Sequence, residues 1–155
     1  MNIVSDKLLI VYHSKSGTVK KMAEAITRGA RTESAIKVEV ANPFKITPFQ
    51  VKTSRAIIIG TPENFGYMSG AIKYFFEEIY YECLESTRGL SYALFVAADN
   101  DGSGAVSSMK KIITGLGWKD IADPIICKNG VTSKELELCH ELGMTIAAGL
   151  ELGLY

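Results

Sequence analysis

Ala56-Ile57-Ile58-Ile59-Gly60-Thr61-Pro62-Glu63-Asn64-Phe65-Gly66-Tyr67-Met68-Ser69-Gly70 is the stretch that decides the fold. It opens on four unbroken apolar residues, the pattern of a strand covered on both faces, and Gly60 closes the run. Glycines, a proline and two aromatics follow. Then Ile72, Phe75, Phe76, Ile79 and Tyr80 fall on one helical face, with Ser69 as its N-cap. A buried strand that runs through a glycine-rich turn into an amphipathic helix is half of a strand–helix–strand unit.

The same alternation extends both ways. Upstream, Leu8-Leu9-Ile10-Val11-Tyr12 reads as a first buried strand, and Val19, Met22, Ala23, Ile26 and Ala30 mark a helix. A second strand is expected over residues 36–40, and Thr47-Pro48 can start a short helix. Downstream, a fourth strand is expected over residues 92–97, a helix on Val106, Met109, Ile112, Ile113 and Leu116, and a fifth strand over residues 121–127. The last helix opens with a Thr132-x-x-Glu135 capping box and continues on Leu136, Cys139, Leu142, Ile146 and Leu150. The expected architecture is α/β: a three-layer sandwich with a five-stranded parallel sheet, order 2-1-3-4-5, and helices on both faces. Ligands of such a sheet bind beyond the strand C-termini where the winding reverses, here between the first and third strands.

Bulk composition narrows the class. A chain of 155 residues, 47% hydrophobic and 22% charged, is expected to form one domain spanning 1–155. Lys+Arg and Asp+Glu stand at 17 each, so no global field recruits nucleic acid or an anionic membrane. No apolar run approaches a membrane span, and residues 8–12 are too few for a signal-peptide core. Cys83, Cys127 and Cys139 are an odd count without metal-ligand spacing, which points to free thiols in a cytoplasmic protein.

Three loops are candidates for chemistry. After the first strand, His13-Ser14-Lys15-Ser16-Gly17-Thr18-Val19 gathers hydroxyls, a glycine and the free amides of a helix start, the makings of an anion cradle. It is neither a Walker-type phosphate loop nor the dinucleotide Gly-x-Gly-x-x-Gly fingerprint. After the third strand, residues 60–70 offer apolar contact and close backbone approach to a flat aromatic ligand. After the fourth, Ala97-Ala98-Asp99-Asn100-Asp101-Gly102-Ser103-Gly104 offers backbone donors and small side chains. Each pattern alone also fits an ordinary turn; their joint placement beyond three strand ends favours a ligand site. A phospho-receiver domain has the same strand order. It needs acidic residues where this chain has His13-Ser14 and Thr61-Pro62.

Together these loops resemble those of the flavodoxin-like family, in particular flavoproteins of the tryptophan-repressor-binding-protein type, and the resemblance covers essentially the whole chain. Residues 12–18 resemble the family's phosphate loop, Gly60-Thr61-Pro62-Glu63-Asn64-Phe65-Gly66 its flavin loop, and residues 99–104 its third loop. The resemblance implies a non-covalent FMN cofactor. It assigns the phosphate to Ser14, Lys15, Ser16, Gly17, Thr18 and Val19. Pro62, Glu63, Asn64, Phe65 and Gly66 fall to the isoalloxazine side, and Ala97, Ala98, Asp99, Asn100 and Gly102 to the opposite wall. Val19 stands where flavodoxins usually carry Thr. The third loop lacks the tyrosine that stacks on flavin in carrier flavodoxins. The implied function is electron transfer with a redox partner protein; the alternative is an NAD(P)H-dependent FMN oxidoreductase acting on quinones or other small acceptors, with a homo-oligomer possible. The charge balance and the short third loop weigh against a dedicated acidic carrier and a full quinone reductase respectively. No nucleophile, general base or metal site is expected, and His13 reads as structural.

Overall fold

The computed structural model describes residues 6–33 and 35–155; residues 1–5 lie outside it. The elements run β1 (Lys7–Tyr12), α1 (Thr18–Ala30), β2 (Lys37–Ala41), α2 (Pro48–Lys52), β3 (Ala56–Asn64), β4 (Tyr67–Met68), α3 (Gly70–Cys83), β5 (Ser91–Ala98), α4 (Ser103–Leu116), β6 (Lys119–Asp120), β7 (Ile125–Lys128) and α5 (Ser133–Glu151). The parallel sheet has the order β2-β1-β3-β5-β6, with β7 also on β5 and β4 antiparallel to β3. This is the doubly wound α/β sandwich expected, the fourth predicted strand being β5.

Strand periodicity splits the core into two layers. Leu8, Ile10, Ala56, Ile58, Ala93 and Phe95 face α1 and α5; Leu9, Val11, Ile57, Ile59, Leu94 and Val96 face α3 and α4. Most of these side chains are fully buried, each worth roughly 1.5–3 kcal/mol for the larger ones. Glycines let the layers close up. A Cβ on Gly60 would fall 2.1 Å from the Phe95 ring, and one on Gly143 of α5 would fall 2.0 Å from the Ile26 carbonyl oxygen of α1.

The helix starts follow the sequence signals. Pro48 opens α2 after Thr47, Ser69 Oγ accepts the Ile72 amide at the start of α3, and the Thr132 amide donates to Glu135 at 3.0 Å to open α5. Two boundaries differ from expectation. The fifth strand, expected over residues 121–127, is two short pieces, β6 and β7. Between the Tyr92–Asp120 and Phe95–Ile125 pairs, residues 93–94 of β5 face residues 121–124 of the edge. Pro124, which has no N–H to donate, sits in that excess. The third strand does not stop at Gly60. It continues to Asn64 and folds back as a hairpin with β4.

Candidate functional site

The winding reverses between β1 and β3, and three segments meet beyond the strand ends there. The first is the turn from β1 into α1. Ser14 Oγ accepts the amides of Gly17 and Lys20, both at 3.2 Å. Gly17 is the N-cap at φ +100°, a conformation L side chains resist, although a Cβ there would touch nothing. The amides of Thr18 and Val19 are left without an acceptor among the described residues. The first turn carries no acid, but it carries Lys20 and Lys21, placing positive charge at the positive end of the helix dipole. Val19 turns its side chain into the α1 core and is only 2% exposed, so its amide, not a hydroxyl, is what this position offers a ligand.

The second segment is the β3–β4 hairpin. Phe65 and Gly66 form its two-residue turn at φ +54° and +66°, both in the left-handed region as a type I′ turn demands. Phe65 projects fully into solvent at 105% exposure. The hairpin is pinned on several sides. Met68 N donates to Ser108 Oγ at 3.0 Å, Ser69 N to Thr61 Oγ1 at 2.9 Å, and Ala105 N to Glu63 Oε2 at 3.1 Å. A Cβ on Gly104 would lie 2.0 Å from the Gly66 carbonyl oxygen, so α4 rests directly on the hairpin tip. His13 Nδ1 lies 3.1 Å from Ser69 Oγ and ties the first segment to the second.

The third segment links β5 to α4 through residues 99–102. Asp101 Oδ1 accepts from the Ser103 amide at 2.9 Å and its hydroxyl at 2.8 Å. These bonds, the amide's first, hold the Asp101 carboxyl below the usual carboxylate range. Gly102 is the N-cap of α4 at φ +76°.

A cleft of about 320 Å³ joins all three. Lys15, Ser16, Thr18 and Val19 line it from the first segment, Pro62, Glu63 and Asn64 from the second, Ala97, Ala98 and Asp99 from the third. The other expected residues do not line it: Ser14, Gly17 and Gly102 are turn and cap residues, Ser14 lining a neighbouring hollow, Phe65 and Gly66 form the hairpin tip, and Asn100 lies on the exposed turn. Gly130, at φ +100° after β7, also lines the cleft. It was not anticipated, although Asn129-Gly130 is a turn signal at the end of the expected fifth strand. A larger hollow, about 700 Å³, lies between β7 and α5, away from the winding reversal. The thiols are remote in character from this chemistry: all three are free and buried. Burial pushes Cys83 and Cys127 up to about 11 and Cys139 to about 12.

A parallel sheet with a ligand cleft at its reversal point, a helix N-terminus with free first-turn amides on one side and a hairpin on the other, defines a flavodoxin-like binding domain. The sequence model of the flavodoxin family matches residues 10–143. The chain belongs to that family, whose members bind FMN. It is 27% identical over 110 residues to a flavodoxin of Aquifex aeolicus (strain VF5), a stretch covering 71% of this chain and 60% of that protein. It is 34% identical over 91 residues to an NAD(P)H dehydrogenase (quinone) of Acidithiobacillus ferrooxidans, covering 46% of each. The chain thus spans about half to three-fifths of the length of these curated relatives. A solved flavodoxin from the domain Archaea superposes with a TM-score of 0.79 at 26% identity, over 94% of this chain and 99% of that one. No helix among the described residues is long and apolar enough to cross a membrane.

Proposed function

We propose that this chain binds FMN non-covalently in the cleft at the ends of β1, β3 and β5 and serves in electron transfer. The observation that carries the reading is the convergence of three separate segments on one cleft beside the free first-turn amides of α1. The phosphate is assigned to residues 14–19. There the Thr18 and Val19 amides and the hydroxyls of Ser16 and Thr18 donate, and Lys15 adds charge. The isoalloxazine is assigned between residues 62–66 and 97–102. When bound, FMN supplies one- and two-electron redox chemistry. The chain's part is to hold the phosphate, order the hairpin and shield one side of the ring from water. Within the family, the Gly60-Thr61-Pro62 start and the Phe65-Gly66 end favour the tryptophan-repressor-binding-protein type. A reducing cytoplasmic setting fits the three free thiols.

The test is direct. Purified protein titrated with FMN should perturb the flavin spectrum and quench its fluorescence, and riboflavin, which lacks the phosphate, should bind far more weakly. Equal affinity for the two would remove the phosphate assignment. A second reading, NAD(P)H-dependent reduction of a small acceptor, draws on the quinone dehydrogenase relative. Against it stands the short link of residues 99–102, which leaves little chain to hold a nicotinamide at near-attack distance. Anaerobic stopped-flow mixing of the FMN-loaded protein with NADH or NADPH decides between them. Bleaching on the order of 10 per second, an ordinary enzyme turnover, would replace the carrier reading with the reductase one. Bleaching only with dithionite or a reductase protein is the expected result.

A further inference from the structure

On the far side of α1 from α5, the surface carries an excess of positive charge that forms no ion pair among the described residues. Lys20, Lys21 and Arg28 on α1, and Arg31 just past it, are exposed, and none forms an ion pair among the described residues. Lys20, Glu24, Arg28 and Arg31 recur at spacings of four, four and three residues, so they form one stripe with a single acid in it. The chain as a whole is neutral, so this positive stripe is a local segregation of charge.

The stripe borders a groove. Two adjoining hollows of about 450 and 270 Å³ share Tyr12 and Val40 and run from Lys20 to Arg31 between α1 and β2. Val40 and Phe44 leave 43% and 58% of their surface exposed there. The opposite wall, β2, is the end strand of the sheet. The Lys37 amide donates to Asp6 O, toward β1. By alternation, Val38 and Val40 turn their N–H and C=O groups outward, where no strand pairs with β2 among the described residues. Edge strands are commonly blunted by charge. Here Glu39 is drawn back by Lys7 at 2.9 Å, which leaves Lys37.

We propose that this groove docks an acidic, extended segment of a partner protein, which adds a strand to β2 and sets its carboxylates against Lys20, Arg28 and Arg31. Each feature answers one need of such a ligand. The open amides and carbonyls of Val38 and Val40 take its backbone, the unpaired cations of α1 take the carboxylates that alternate toward that face, and Phe44, packed on Tyr74 of α3, meets the apolar side chains that alternate to the other. A polynucleotide would satisfy the cations but has no peptide ladder to offer the strand edge. The inference does not rest on the flavin assignment, although Lys20 and Ser14 border both sites, and it is tested on the protein without FMN.

The probe is a capped heptapeptide, Glu-Val-Glu-Val-Asp-Val-Glu, titrated into ¹⁵N-labelled protein. The largest amide shifts should fall on residues 20–31 and 37–44, and the Val38 and Val40 amides should exchange more slowly with deuterium in the complex. Raised salt should weaken binding. Arg28→Glu with Arg31→Glu should weaken it about tenfold or more, as should a Glu-Pro peptide of equal charge, which cannot complete a ladder. Both arginines are exposed, and Lys20→Glu provides the same test at the other end. Shifts elsewhere, no shifts at millimolar peptide, or affinity unmoved by either the charge reversals or the proline peptide would overturn the proposal. So would an oligodeoxythymidine that binds these residues as tightly as the peptide, since that would make the stripe a general polyanion surface.

Discussion

Gly104→Ala is the substitution that most directly tests how the cleft is built. Gly104 is the second residue of α4, and its added Cβ would lie 2.0 Å from the Gly66 carbonyl oxygen and 2.6 Å from its carbon. Ordinary contact begins near 3.4 Å, so hairpin and helix must part by about 1 Å or more. The obstacle is backbone and cannot rotate away. Overpacking of this kind costs about 1–3 kcal/mol, and the helix preference of Ala over Gly returns at most about 1 kcal/mol. A net loss of about 1–2 kcal/mol corresponds to a fall in Tm of roughly 2–8 °C for a domain of this size. Glu63 and Asn64 move with the hairpin, so FMN affinity should fall about tenfold, the equivalent of about 1.4 kcal/mol. Gly70→Ala is the control. It is the first residue of α3, without positive φ and with nothing within 4 Å of its Cβ, so it should be neutral or slightly stabilising. Thermal melts of the apo proteins and FMN titrations read both effects. If Gly104→Ala melts with the Gly70→Ala control and binds FMN like the parent, the hairpin is not braced on α4 and the reasoning is wrong.

Three further outcomes follow from the same geometry. Phe65→Asn should raise the apo Tm, because Asn tolerates φ +54° and a fully exposed ring loses no burial. It should also weaken FMN by about 0.5–1.5 kcal/mol if the ring contacts the flavin; an unchanged FMN affinity would place the isoalloxazine elsewhere. Ser16→Glu should set like charge against the phosphate and reduce FMN binding far more than riboflavin binding, and equal losses for both would argue against the assignment. Stability should fall above pH 9. The buried thiols keep their protons to about 11, 11 and 12 while unfolded thiols lose theirs near 9. Between those limits the unfolded chain binds fewer protons, so unfolding gains about 1.4 kcal/mol per pH unit per thiol. Urea midpoints flat from pH 8 to 11 would contradict this.

Much of the frame was legible because its signals are local and periodic. Residues 8–12 and 56–59 carry unbroken apolar runs that no other element explains, and Ser69, Thr47-Pro48 and Thr132-x-x-Glu135 mark helix starts where the structure has them. The misplaced boundaries have physical causes that propensity does not encode. The expected fifth strand breaks because its register against β5 carries two more residues than its partner, a tertiary fact. The third strand runs past Gly60 because that glycine makes room for the Phe95 ring instead of ending the ladder. The Phe65-Gly66 hairpin was hidden for a related reason: turn chemistry looks for Asn or Asp at the first left-handed position, and an aromatic there reads as a packed loop. Gly130 reached the cleft from a loop far in sequence, which short-range pattern reading does not reach.

Capping distinguishes the two ends of the cleft. The helices α2, α3 and α5 open on Thr47, Ser69 and Thr132. The two helices whose N-termini border the cleft, α1 and α4, open on Gly17 and Gly102 and have no side chain to cap with at that position. They are not equivalent as anion sites. The α4 amides of Ser103 and Ala105 are already taken by the carboxylates of Asp101 and Glu63, so an incoming phosphate would meet two negative charges and few free donors. At α1 Ser14 takes the Gly17 and Lys20 amides, those of Thr18 and Val19 have no acceptor among the described residues, and the surrounding side chains are Lys15, Lys20 and Lys21. Dipole, donors and charge therefore agree at α1 and conflict at α4. On the proposed assignment of the phosphate to α1, the rest of FMN runs across Pro62 and Asn64 toward Ala97 and Ala98. That lies next to the hairpin tip, the one place among the described residues where a bulky ring is kept in a left-handed, fully exposed conformation that folding alone gives no reason to keep.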